Sequence, residues 1–217
     1  MFPVSDVIPS RTTPVVTITL IAINALVFLY ELTLDDRQLQ ALVQSYGVIP
    51  AHFSLVTLVT SLFLHGGWLH FLGNMLYLWI FGDNVEDRLG HGRFATFYIG
   101  CGAAAALGQM ATSPMSSLPM VGASGAIAGV MGAYFVFFPH SRVLTAVFIV
   151  FFMDIIEIPA IFFLGIWFLM QFFNGVGSLG ADAAAGGVAF WAHIVGFAVG
   201  GFVGALWRGV ERRGWES

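Results

Sequence analysis

The chain has 217 residues, of which 58% are hydrophobic and 9% charged, with a formal net charge of −4. So apolar a composition is not that of a soluble domain of this size and points to a polytopic membrane protein. The acidic balance gives no reason to expect a nucleic-acid partner, and the single cysteine, Cys101, excludes an internal disulfide.

A membrane-crossing helix needs about 20 predominantly apolar residues. Six segments qualify, at residues 15–32, 62–82, 94–111, 122–138, 159–173 and 188–207. The expected fold is all-α: one membrane domain over residues 1–217, a bundle of six transmembrane helices. The first segment has no small-residue cleavage site before the acidic stretch Glu31 to Asp36, so it reads as a retained anchor. Between the fourth and fifth segments, Asp154, Glu157 and Pro159 interrupt a long apolar run. Carboxylates are costly at bilayer depth, so Val143 to Ile158 is expected to be an interfacial connection, with Asp154 and Glu157 at the interface. Pro159 then opens the fifth helix, where a missing N–H is tolerated.

All eight basic residues are arginines. Arg11, Arg88, Arg93, Arg142, Arg208, Arg212 and Arg213 fall on one side of this arrangement and Arg37 on the other. The positive-inside rule then puts both termini in the cytoplasm and the loops after spans 1, 3 and 5 outside. The expected location is the cell membrane, with Ser124 starting its helix near the outer face.

Polar residues within spans each need a partner, a cavity or water. In or beside span 2, His70 and Asn74 lie four residues apart, about 40° around a helix, and share a face. His65 precedes them across Gly66 and Gly67, which place it in an outer loop as an anchoring residue. Span 4 begins VGASGAIAGVMG, residues 121–132, where Ser124 is followed by the small residues Gly125, Ala128, Gly129 and Gly132. In span 6, His193, Gly196, Gly200 and Gly204 fall inside a sector of about 80°. Small residues at that spacing admit a neighbouring backbone, and span 4 suits it, so Ser124 and His193 are expected to meet.

A serine hydroxyl becomes a useful nucleophile when a base takes its proton, and histidine is the usual base. An acyl-transfer intermediate also carries an oxyanion that needs fixed donors. The free backbone N–H groups at the start of span 4 and the side chains of His70 and Asn74 are the candidates. Asp182, in the loop before span 6, reads as a solvated carboxylate, so a dyad is expected rather than a triad. Ala126 stands where a G-x-S-x-G elbow would have glycine.

The stretches GASGAIAG, HGGWLHFLGN and AHIVGFAVGG, on separate spans, resemble the rhomboid family of intramembrane serine proteases, and the likeness covers essentially the whole chain. The resemblance implies Ser124 as nucleophile, His193 as base and then acid, and an oxyanion hole of His70, Asn74 and the Ser124 amide. It implies transmembrane proteins as substrates, cleaved in or beside their membrane segments from a pocket open to the outer side. It also implies a structural role for Glu86 at the cytoplasmic end, and a loop partly in the membrane to which Tyr46 to Phe53 contribute. Some relatives carry Trp-Arg in that loop, which is missing here. Some place a tyrosine against the histidine ring where this chain has Ala128, which leaves the hold on His193 unassigned.

Two rival readings are a non-catalytic member of the same fold that binds membrane clients, and a metal or haem site on His65, His70 and His193. The first is usually marked by loss of the serine or histidine. The second lacks cysteine ligands and an H-E-x-x-H helix, and no metal or cofactor is expected.

Overall fold

The computed structural model describes residues 2–149, 152–179 and 188–214, so Asp182 lies outside the described residues. The chain begins with a strand, β1 (Phe2–Asp6), followed by helix α1 (Val15–Glu31). Pro14 gives α1 no side-chain cap. Glu86 supplies it from another helix: Val16 and Thr17 donate their backbone N–H groups to its carboxylate at 2.8 Å each, and the Thr17 hydroxyl donates at 2.7 Å. Helix α2 (Asp36–Tyr46) is closed by a reciprocal capping box between Asp35 and Gln38. A 3₁₀ turn (Pro50–His52), the short α3 (Thr57–Thr60) and a second 3₁₀ turn (Ser61–Phe63) follow.

Helix α4 (Trp68–Leu89) starts after Gly67 and stops at Gly90, and both glycines have positive φ, +144° and +79°. Helices α5 (His91–Thr112), α6 (Ser124–Phe137), α7 (Ala160–Ser178) and α8 (Phe190–Gly214) complete the set. Among the described residues, three helices are long and apolar enough to cross a membrane: His91–Thr112, Ala160–Ser178 and Phe190–Glu211. Val15–Glu31 and Ser124–Phe137 are apolar but shorter. The protein is thus a mostly helical membrane protein.

Helix α6 forms the centre, buried continuously from Gly125 to Tyr134 and packed against α8, α5 and α4. Its approach to α8 depends on missing side chains. A methyl on Gly200 would overlap the backbone of Gly129, one on Gly196 would meet the carbonyl oxygen of Gly125, and one on Gly204 would stand 3.2 Å from Cα of Ala133. The small residues of α6 serve α5 as well, since methyls on Gly125 and Gly129 would stand 2.6 Å from Cβ of Ala105 and 2.5 Å from Cβ of Cys101. Backbones this close gain packing contacts that lipid cannot supply.

The all-α expectation is corrected between α6 and α7. Residues read as an interfacial connection form an antiparallel hairpin, β2 (Arg142–Ile149) and β3 (Phe152–Pro159), and β1 pairs along the other edge of β2. The segment is rich in β-branched and aromatic residues, which favour strands. A hairpin also satisfies its backbone while leaving Glu157 exposed, where its carboxylate accepts from Arg142 at 2.7 Å. The sheet is joined to the bundle by Tyr134, whose hydroxyl donates to Asp6 at 2.5 Å. At this same end Arg88 donates to Glu211 at 2.9 Å through Nε, and Arg208 donates to the Val136 carbonyl at 2.7 Å, tying α4, α6 and α8 together.

Candidate active site

Ser124 opens α6, and the segment leading to it is pinned from the other side of the chain. Met120 and Val48 exchange backbone hydrogen bonds of 2.8 and 3.0 Å, and the Gly122 N–H donates to the Ser61 carbonyl at 2.9 Å. Gly122 has φ +122°, a conformation that a side chain would strain. The turn delivers Ser124 to the first turn of α6, whose N–H groups have no helical partner.

The buried His193, in the first turn of α8, has its Nε2 2.8 Å from Ser124 Oγ. On the far side of the ring, Nδ1 is 2.8 Å from Oε1 of Gln171 on α7. The Trp167 ring, also from α7, lies against the imidazole at a centroid distance of 5.8 Å. Two side chains of α7 therefore flank the imidazole, Gln171 at Nδ1 and Trp167 against the ring. Sequence reasoning missed Gln171, although an amide inside span 159–173 was a legible signal. Both ring nitrogens of His193 are thus engaged by side chains, Nε2 by Ser124 and Nδ1 by Gln171.

On α4, His70 and Asn74 face Gly122. A methyl there would stand 2.6 Å from His70 Nε2 and 3.7 Å from Asn74 Nδ2. The Gly66 N–H lies 3.4 Å from His70 Nδ1. An N–H can only donate, so Nδ1 is the acceptor and a neutral ring carries its proton on Nε2, facing Gly122. Asn74 Nδ2 is buried without a hydrogen-bond partner among the described residues. The structure thus brings Ser124, His193, His70, Asn74 and Gly122 to the end of the bundle opposite Arg88 and Arg208.

His65 stands behind this group. Its backbone N–H donates to the Glu31 carboxylate, 3.2 Å from both oxygens, and its ring packs edge-on against His70 at 5.2 Å and Phe71 at 5.4 Å. Glu86 is at the other end, fully buried, where it accepts from α1 and lies 2.6 Å from Nδ1 of His91. A cavity of about 40 Å³ opens beside Ser124, lined by Ser61, Gly102, Ala105, Gly122 and Ala192. That space suits a small group or a water.

The sequence matches the rhomboid domain over residues 52–209. The chain belongs to the rhomboid family. It is 33% identical over 136 residues to Rhomboid protein 1, mitochondrial, of Saccharomyces cerevisiae, covering 59% of this chain and 38% of that protein. It is 43% identical over 76 residues to Rhomboid protease GluP of Bacillus subtilis, covering 35% of this chain and 14% of the relative. A third relative, RHOMBOID-like protein 5 of Arabidopsis thaliana, is 36% identical over 76 residues, covering 35% of this chain and 25% of the relative. The chain spans less than half the length of these relatives.

Proposed function

We propose that this protein is an intramembrane serine endopeptidase that hydrolyses peptide bonds in or near transmembrane segments of other membrane proteins. The observation that carries the reading is the 2.8 Å hydrogen bond between Ser124 Oγ and His193 Nε2, in a family with members named proteases. In this reading six helices cross the cell membrane, both termini are cytoplasmic, and the site opens to the extracytoplasmic side.

The chemistry follows from the residues. As Ser124 Oγ bonds to the scissile carbonyl carbon, its proton passes to His193 Nε2. The carbonyl oxygen becomes an oxyanion that accepts hydrogen bonds from the Ser124 amide, His70 Nε2–H and Asn74 Nδ2–H. The C–N bond then breaks, and the imidazolium gives its proton to the departing amine. Water, activated by the same nitrogen, hydrolyses the acyl-enzyme and returns the proton to Ser124.

Asn74 Nδ2, buried and without a hydrogen-bond partner among the described residues, supports this assignment, since an unpaired buried donor is costly and calls for an explanation. The small cavity beside Ser124 favours a small side chain at the cut. A helical substrate must also unwind before its carbonyl can be attacked, which favours glycine or proline nearby. Purified protein treated with a fluorophosphonate should be labelled, and Ser124→Ala and His193→Ala should not. Undiminished labelling of Ser124→Ala would overturn the nucleophile.

A further inference from the structure

We infer that Gln171 is a positioning residue that fixes the tautomer and aim of His193, an inference that rests on the reading of Ser124 and His193 as nucleophile and base. The amide oxygen of Gln171 has no hydrogen to give, so a 2.8 Å contact with Nδ1 requires the ring to donate. A neutral imidazole with its proton on Nδ1 has a lone pair on Nε2, the nitrogen that faces Ser124 at 2.8 Å. The opposite tautomer would present an N–H to the serine and could not take its proton. One hydrogen bond to a side chain from a different helix thus selects the reactive form.

The partner is a neutral amide, and among the described residues no carboxylate forms an ion pair with His193. The groups around the ring are Ser124 from α6, Gln171 and Trp167 from α7, and His70 from α4 as the titratable neighbour. An amide can hold the ring and choose its tautomer, as the acid of a serine-protease triad does. It offers no full charge to the imidazolium.

Gln171 is itself held by the packing of α7 on α8. Trp191 donates to the Gly175 carbonyl at 3.2 Å, and a methyl on Gly175 would stand 2.9 Å from Ile194. These contacts set the two helices in register one turn from the amide.

The test uses the intact purified protein and a fluorophosphonate probe, with ring-nitrogen NMR on ¹⁵N-histidine protein and His193→Ala identifying the signals. Gln171→Met keeps the bulk but removes the acceptor. It is expected to lower the second-order labelling rate by about 10- to 100-fold at an unchanged melting temperature, and to convert the single Nδ1–H signature of His193 into a mixture. Gln171→Glu offers an acceptor oxygen in either protonation state and should restore most of the rate and the wild-type signature.

The inference is overturned if Gln171→Met labels at the wild-type rate. It is also overturned if labelling falls while the His193 signals stay unchanged, which would assign the residue to packing. In both cases a silent Ser124→Ala leaves the dyad reading standing. Should Ser124→Ala label like wild type, that reading falls separately, and the ring-nitrogen signals alone decide the role of Gln171.

Discussion

Gly122 lies against the ring of His70 so closely that a methyl group on it would stand 2.6 Å from both Cε1 and Nε2. The glycine answers two demands at once, a φ of +122° and an empty space where the ring edge sits. Gly122→Ala meets both penalties, and positive-φ strain alone costs about 1–3 kcal/mol. We expect a lower melting temperature and a fluorophosphonate labelling rate reduced by about 100-fold, the scale of losing one oxyanion donor. Wild-type labelling in this variant would mean that the ring edge has no part in the reaction.

Asn74 separates function from folding. Its Nδ2 is buried and has no partner among the described residues, so removing that donor breaks no hydrogen bond in the resting protein. We expect Asn74→Ala to slow cleavage of a transmembrane substrate by about 10²–10³-fold through kcat, with the melting temperature nearly unchanged. A large fall in melting temperature at normal kcat would make Asn74 a structural residue.

The contact between α6 and α8 sets a contrast between two glycines. Gly200→Ala drives a methyl into the Gly129 backbone, whereas Gly100→Ala on α5 meets nothing within 4 Å among the described residues. Overpacking of this kind costs about 1–3 kcal/mol, while an unobstructed helical Gly→Ala gains up to about 1 kcal/mol. Thermal unfolding in one detergent should therefore move in opposite directions for the two variants. Equal shifts would show that the helices separate readily.

Acidity should tighten the N-terminal strand. Burial pushes the Asp6 carboxyl up to about 6 from an ordinary 3.8, the Tyr134 hydroxyl pulls it back, and the nearby Asp83 carboxylate adds to the rise. The docked strand thus binds the proton more tightly than a free one does. Docking strengthens as pH falls through 6 towards 3.8, and it is weakest at neutral and alkaline pH. Hydrogen exchange of the β1 amides, corrected for its intrinsic pH dependence, should show protection rising across that window. Asp6→Asn should flatten the dependence; a flat wild-type profile would refute it.

Hydropathy made the helical segments legible because lipid demands long apolar runs, and the glycine faces of α6 and α8 announced their contact because only small residues let two backbones approach. Ser124, His193, His70 and Asn74 stood out as polar groups in apolar surroundings. The hairpin was hidden, since Val143 to Ile158 is as apolar as a span and its pairing partner, Phe2–Asp6, is remote in sequence. Gln171 was hidden differently. Its amide was visible, but the distance that gives it meaning exists only once α7 has docked on α8.

The pairing of Phe2 with Ala146 also orders events in time. A chain growing at roughly 5–20 residues per second leaves its first strand without a partner for on the order of ten seconds. By then α1, α4, α5 and α6 have all been synthesised. The sheet can close only after these helices have brought both ends of its ladder to the same side, so an assembled β1 is a late signal that the bundle around Ser124 has been threaded correctly.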